Sequence, residues 1–514
     1  MTIILVLSLF VGFVVGQTPY NLSINVSSFG TISYGGNDFV SYSETDSDLI
    51  IDSPQARYYT TSSVPIRLSS GWADSVFWNI ADGTKWIYPS DQSYNSETSV
   101  TLGNGEYALH IWASQGSNQV EKTVIFGVNL RNIGAVYATG GSNTEIQASI
   151  NSASNGYAVY LPAGTFEFDS SSPWSKVNVP AGISIYGAPT LRDATGHIQD
   201  WEWSTVLTMP WDAPDWSNFF DYSGASSFVT RFTGIKLVGY REFDSSNTRS
   251  TRGAIYINGG ESEYRIDHCY FRNTVGTAVL TLFRAKGVVD HSVFINDPVS
   301  IVGVWADDTA HYAINTIGPD TWLPLSDVVG KYNQRDWYIE NNYFKGFEVC
   351  VQTNHAGHYV FRYNYVKNGM AGVSLHVNLE DGMGGRLSEV YGNTFSYLDF
   401  VTNNIKAIKA NCGTIISTEN TFLNFGAPPD PYDWNAAIHL VQSSPFEWSH
   451  IQDSYIWSNT LSPSNSDLLT IKYGTDITDT IDLNEDYFLR APSIALDGWV
   501  YVPYTYPHPL IDEK

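Results

Sequence analysis

Ionisable side chains crowd into residues 340–389, where Glu340, Arg362, His376, Asp381, Arg386 and Glu389 fall close together. A second group, Asp307, Asp308 and His311, sits in the long segment 295–335, which is expected to overhang one face and contact substrate. Residues of these types support two chemistries on sugars. Eliminative cleavage of a uronate chain needs a base for the proton α to the carboxylate. It also needs a cation to neutralise that carboxylate: Arg, Lys, His, or Ca²⁺ held by Asp and Glu. Hydrolysis needs two carboxyl groups about 5–10 Å apart, the spacing depending on whether configuration is retained or inverted. In the eliminative reading Arg362 or Arg386 neutralises the uronate and His376 takes the proton. In the hydrolytic reading Glu389 pairs with Glu340 or Asp381. His376 and Arg386 flank a Gly-rich insertion, and loops on a rigid scaffold commonly carry the site. A salt-bridge ladder would place Arg362 beside carboxylates equally well, so that reading stays open.

The elements that must position these groups announce themselves by repetition. The stretch Ile339-Glu-Asn-Asn-Tyr-Phe344 has relatives ending at Phe271, Phe294, Val366, Phe395, Phe422 and Leu461, with steps of 23, 50, 22, 29, 27 and 39 residues. The step of 50 reads as two turns with an insertion. A recurring unit of roughly 20–30 residues marks a solenoid, whose units bury their apolar faces only by stacking. Ile339 and Phe344 are five apart, so one straight strand cannot turn both inward. A corner between them resolves this, and Asn tolerates the left-handed backbone a corner needs. The fourth position reads Cys269, Ser292, Asn342, Asn364, Asn393, Asn420, Asn459, which predicts a stacked amide ladder. Short β-rich coils with such a ladder predict a right-handed parallel β-helix over 131–495. Glu340 and Arg362 both fill the second slot and should stack on the outside. Glu389 also points outward, offset along its strand.

Of 514 residues, 27 are basic and 52 acidic, for a net charge of -25. Such a field disfavours nucleic acid and anionic membrane surfaces as partners. It disfavours acidic polymers too, unless a local basic patch or bound cations offset it. The 16 Trp and 33 Tyr suit both a β core and platforms for sugar rings. Residues 1–16 read as a secretory signal, short for a membrane span, with an uncleaved anchor as the alternative. The mature chain is therefore expected to be secreted or at the cell surface, and Asn21 and Asn25 begin glycosylation sequons. Cys269, Cys350 and Cys412 allow at most one disulfide, and Cys269, in a ladder slot, reads as a small buried residue. His355 and His358 have a spacing that could suit a metal, but no third ligand is suitably placed.

Residues 17–48 read as a linker or an extra hairpin. From 49 to 130 short alternating runs separated by Gly, Asn and Ser turns predict an antiparallel β-sandwich, with Asn104-Gly105 as a tight turn. This stretch resembles the Ig-like modules that precede secreted catalytic or surface domains. Within 143–150, Ile146 and Ile150 mark an amphipathic helix, capped by Asn143 or Thr144, that closes the first coil.

The helix followed by Leu161-Pro-Ala-Gly-Thr-Phe166 resembles the opening of pectate-lyase-like β-helix proteins. Tyr359–Asn364, His376, Gly385–Phe395 and the tail Pro503-Tyr-Thr-Tyr-Pro-His-Pro-Leu510 resemble the same secreted family, over roughly 133–510. That family carries His-Gly where this chain has His376-Val377. The resemblance implies the fold and a secreted, carbohydrate-facing life, but no single reaction. Asp307-Asp308, His358 and Ile405-Lys406 mimic polygalacturonase signatures in order. The interval from Asp308 to His358 is too long for adjacent coils and the upstream Asn-Thr-Asp signature is missing, so that identification is rejected. The expectation is a carbohydrate-active β-helix protein acting on a polysaccharide, with lyase-type cleavage ahead of hydrolysis. The alternative is a non-catalytic glycan-binding or cell-surface structural protein, with residues 496–514 forming a C-terminal tail.

Overall fold

The computed structural model describes residues 32–34, 37–39 and 49–512, apart from segments 170–176, 190–201, 210–217, 240–253, 297–311, 377–383, 398–405, 425–435 and 443–449 and shorter gaps. The signal-like run, both sequons, Asp307, Asp308, His311 and Asp381 lie outside the described residues.

Three long parallel sheets organise the chain from Ala135 onward. Sheet I has twelve described strands, from Ala135–Tyr137 to Tyr487–Phe488. Sheet II has ten, from Gly164–Glu167 to Thr460–Ser462, and sheet III has ten, from Val177–Pro180 to Leu469–Tyr473. From Ala158–Tyr160 onward each strand pairs with the one three places later, so one strand from each sheet completes a coil of a parallel β-helix.

The six-residue unit is the corner between sheets I and II. Ile339 is the penultimate residue of the strand Asp336–Glu340, Phe344 sits in Tyr343–Lys345, and both are fully buried in the core. The left-handed residue is the third of the unit rather than the ladder residue: His268, His291, Asn341, Tyr363, Gly392, Glu419 and Ser458 all have positive φ or, at Gly392, the same conformation without a Cβ. Turning the third residue aims the fourth inward, where its amide reaches the next coil. Asn364 Oδ1 accepts from Asn342 N (2.9 Å), and Asn364 Nδ2 donates to Ile339 O (2.8 Å) and Asn393 Oδ1 (3.1 Å). The pattern continues through Asn393, Asn420 and Asn459, and upward through Ser292 to Cys269 N. Inside the corner, Phe271, Phe294 and Phe344 stack at 4.7 and 4.8 Å. All three cysteines are buried and free.

The 50-residue step is one coil, not two: Val289 pairs directly with Ile339, and Phe294 with Phe344. The surplus length holds the sheet III strand Tyr312–Ile317 and the helical turn Leu325–Val328, neither of which adds a strand to sheet I. The helix Asn143–Ser152 closes the first coil with Ile146 and Ile150 buried. Its cap is Ser142 rather than Asn143 or Thr144, because Ser142 and Glu145 complete a reciprocal capping box.

Ahead of the solenoid, a five-stranded and a three-stranded sheet enclose a separate core that includes Leu49, Ile66, Trp78, Leu109 and Phe126. Tyr58 joins this unit to the first coils through ring contacts with Tyr160 (5.5 Å) and Tyr186 (5.7 Å). At the other end the chain turns back, and residues 499–511 lie across the outside of sheet I.

Candidate functional site

The outer face of sheet I carries four of the residues singled out from sequence. Glu340 and Arg362 are register partners, as their shared slot requires, and Arg362 Nε donates to Glu340 Oε2 at 2.6 Å. The face is not open. Arg362 spends its remaining donors on Tyr391 Oη (2.9 Å) and the backbone carbonyls of Tyr504 (2.8 Å) and Thr505 (2.9 Å) in the tail. Glu340 Oε1 accepts from His508 N (2.9 Å), and burial pushes its carboxyl upward despite Arg362. Glu389 accepts from Tyr501 Oη (2.6 Å) and Gly330 N (3.0 Å), and lies 3.3 Å from His358 Nε2. Glu340, Arg362 and Glu389 are each 0% exposed.

Arg386, 4% exposed, donates to Leu323 O (2.8 Å) and Thr414 Oγ1 (3.0 Å) and lies over the Trp322 ring; burial holds its pKa down to about 10. These four groups hold the tail and the 321–332 segment onto the sheet, and among the described residues they face protein groups rather than a groove shared with His376. The tail motif and the ionic ladder, read separately in the sequence, are two halves of one contact. His358, a metal candidate by spacing, is buried between Asp336 (2.6 Å) and Glu389. Desolvation opposes its charge, but the two carboxylates prevail and raise its pKa to about 9. Among the described residues no group of three His, Cys, Asp or Glu is arranged to hold a metal ion.

His376 belongs to a different wall. It follows the sheet III strand Ala371–Leu375, and its N–H continues the ladder by donating to Thr353 O (3.0 Å). On this sheet Val351, Val373, Ile408 and Ile438 form an inward column, so their neighbours face out. The outward column runs Asn315, Gln352, Ser374, Lys409, His439, Thr470, one residue per coil and in register. Strand spacing sets these groups about 4.8 Å apart at the backbone. Gln352, Ser374 and His439 are buried, whereas Asn315, His376 and Lys409 are part-exposed. Burial lowers the His376 pKa to about 4, with the Lys409 charge adding to the effect. The wall therefore combines a neutral imidazole, an adjacent ammonium, and a rung-spaced row of amide and hydroxyl groups. The row could have been found by counting: Gln352 and Ser374 each lie ten residues after a ladder Asn. The count fails at Lys409 and His439, where insertions lengthen the coil.

The chain matches no protein-family model and no curated protein. Among solved structures it is similar to an alginate lyase from Paenibacillus sp. str. FPU-7, at 11% identity over 66% of this chain and 98% of that one, TM-score 0.39. A Yersinia enterocolitica family 28 exopolygalacturonase gives 13% identity over 83% and 98%, TM-score 0.31. The catalytic domain of a GH87 α-1,3-glucanase, in complex with nigerose, gives 10% over 80% and 89%, TM-score 0.32. At these scores the likeness carries no argument about residues or reaction, and the fold rests on the strand pairing described above.

Proposed function

We propose that this chain is a secreted, carbohydrate-active β-helix protein that acts on an acidic polysaccharide along the outer face of sheet III, by lyase-type cleavage. The observation that carries this reading is His376, two residues beyond Ser374, beside Lys409 of the neighbouring coil in a row of rung-spaced polar side chains. A glycan lying along the solenoid axis would meet the part-exposed Asn315, His376 and Lys409, with the buried Gln352, Ser374 and His439 beneath them. Lys409 would face a uronate carboxylate, and that ion pair would offset the positive field that now depresses His376. The imidazole would then accept the C5 proton, the C4–O bond would break, a C4=C5 double bond would form, and the leaving oxygen would take up a proton. Hydrolysis has less support, because Glu340 and Glu389 are committed to the tail.

The test is to incubate the full chain with a polysaccharide panel, with and without Ca²⁺, while following unsaturated uronate absorbance and reducing ends. His376→Ala should lower eliminative activity by about 10²–10⁴, the usual loss for a general base, with an unchanged melting temperature. Activity retained in that variant would move the chemistry to the 297–311 segment with Asp307, Asp308 and His311. Binding without any bond cleavage in the parent would establish the non-catalytic alternative.

A further inference from the structure

Sheet II presents a face that the proposed reaction does not use. Its five consecutive strands Ile235–Val238, Tyr270–Arg272, Val293–Ile295, Tyr343–Lys345 and Tyr365–Lys367 read IKLV, YFR, VFI, YFK and YVK. Leu237, Phe271, Phe294, Phe344 and Val366 point into the core, so the flanking residues point out. The outward set contains four cations, Lys236, Arg272, Lys345 and Lys367, and these strands contain no carboxylate. In a chain of net charge -25 this is a local reversal of sign.

The cations are also placed against one another. Lys345 and Lys367 are register partners on adjacent coils, a like-charge pairing that is unfavourable in a sheet unless something answers it. Lys236 sits 4.7 Å over the Tyr270 ring, and burial and the Arg272 charge both pull its pKa down. On the Lys345 and Lys367 strands, two residues before each lysine, Tyr343 and Tyr365 lie 5.8 Å apart with rings parallel to within 2°, Tyr365 being 38% exposed. Parallel stacking leaves ring edges and hydroxyls toward solvent, suited to sugar CH and OH groups at once. The middle strand Val293–Ile295 interrupts both columns, and there Trp203 packs on Val293, Ile295 and Tyr343 and lies 4.9 Å from the Tyr270 ring. The free part of the face is therefore centred on Lys345, Tyr365 and Lys367.

We infer that this stripe of sheet II is a second glycan-binding surface, which holds a linear polyanionic polysaccharide along the solenoid axis, away from the sheet III wall. A polymer with one anionic group per sugar can meet Lys345 and Lys367 on successive coils with the Tyr365 ring beside them, whereas a compact anion does not follow the coil repeat. The chain's overall negative charge disfavours nucleic acid as the occupant.

The test uses the full-length chain, with polygalacturonate as the carboxylate probe, dextran sulfate as the sulfate probe and neutral dextran as the control. The parent should bind one or both polyanions, with affinity falling as salt rises, and should not bind dextran. The double variant Lys345→Glu/Lys367→Glu should weaken that binding roughly tenfold or more, with its melting temperature kept. Lys345→Gln/Lys367→Gln should weaken it in the same direction, which guards against misfolding of the reversed variant. Lysine-dependent binding reads the stripe and unsaturated-uronate absorbance reads the sheet III wall, so loss of one is told apart from loss of the other. Polyanion binding absent in the parent, or unaltered in both double variants, would overturn the inference. So would equal, lysine-dependent binding of oligo-dT.

Discussion

Arg362 makes all its hydrogen bonds within the protein, two of them to carbonyls 142 and 143 residues away in sequence. A buried ion pair of this kind resists removal of one partner more than removal of both, because the survivor is left uncompensated. Arg362→Met should therefore cost about 3–5 kcal/mol in denaturant unfolding, and Glu340→Gln/Arg362→Met less than the single variant. Equal or additive costs would show that the pair is not coupled. His358 makes a prediction with a defined sign. Its folded pKa of about 9 exceeds the ordinary value of 6.5, so its protonated form stabilises the fold fully below about pH 6.5. That contribution fades as pH rises and is gone above about 9. The melting temperature should fall across this window in the parent, and His358→Gln should flatten the slope. His376 behaves oppositely: with a pKa near 4 it is already a neutral acceptor at pH 6. If it is the base, kcat/KM should show its acidic limb near pH 4, and Lys409→Ala should move that limb upward.

At the scale of elements, the Asn ladder ties coil to coil where the corner exposes backbone groups to the core. Asn364 alone satisfies Ile339 O and accepts from Asn342 N. Asn364→Leu should leave both without their partner, at about 1–3 kcal/mol each, and lower the melting temperature clearly. The tail is the second such element. Tyr501, Tyr504 and Leu510 pack on Val288, Tyr338, Val360 and Tyr391, and backbone groups of residues 504–511 satisfy Arg265, Glu340 and Arg362. A chain ending at residue 495 would expose that face with its charges unpaired. It should melt at lower temperature and bind a hydrophobic dye. The N-terminal unit has its own core, and residues 49–130 expressed alone are expected to melt cooperatively with dispersed amide spectra.

For the whole molecule, a three-sheet solenoid separates tasks by face. Sheet I is closed by the tail and its ion pairs, sheet III offers the imidazole and ammonium wall, and sheet II offers the cationic stripe. Because each coil contacts mainly its neighbours, side chains from distant sequence positions line up only if they share a register position. A row such as Gln352, Ser374, Lys409 and His439 thus depends on every intervening insertion leaving the sheet undisturbed.

The repeat was legible because it is a local requirement restated in every coil. Ile339 and Phe344 must both turn inward, and Asn342 must answer the backbone of the next corner; the pairing of Glu340 with Arg362 followed from the same register. Outward direction was legible too, but openness was not. Whether an outward Arg362 meets substrate or protein depends on residues 499–511, far along the chain, and no periodicity in the strands records that encounter. The 50-residue step was ambiguous for a related reason, since length alone does not say whether an insertion adds a strand to sheet I. The sheet III wall escaped notice because the distance from each ladder Asn to its outward residue changes wherever an insertion intervenes. Local chemistry set the coil and its corner; long-range packing decided which outward residues the rest of the chain covers.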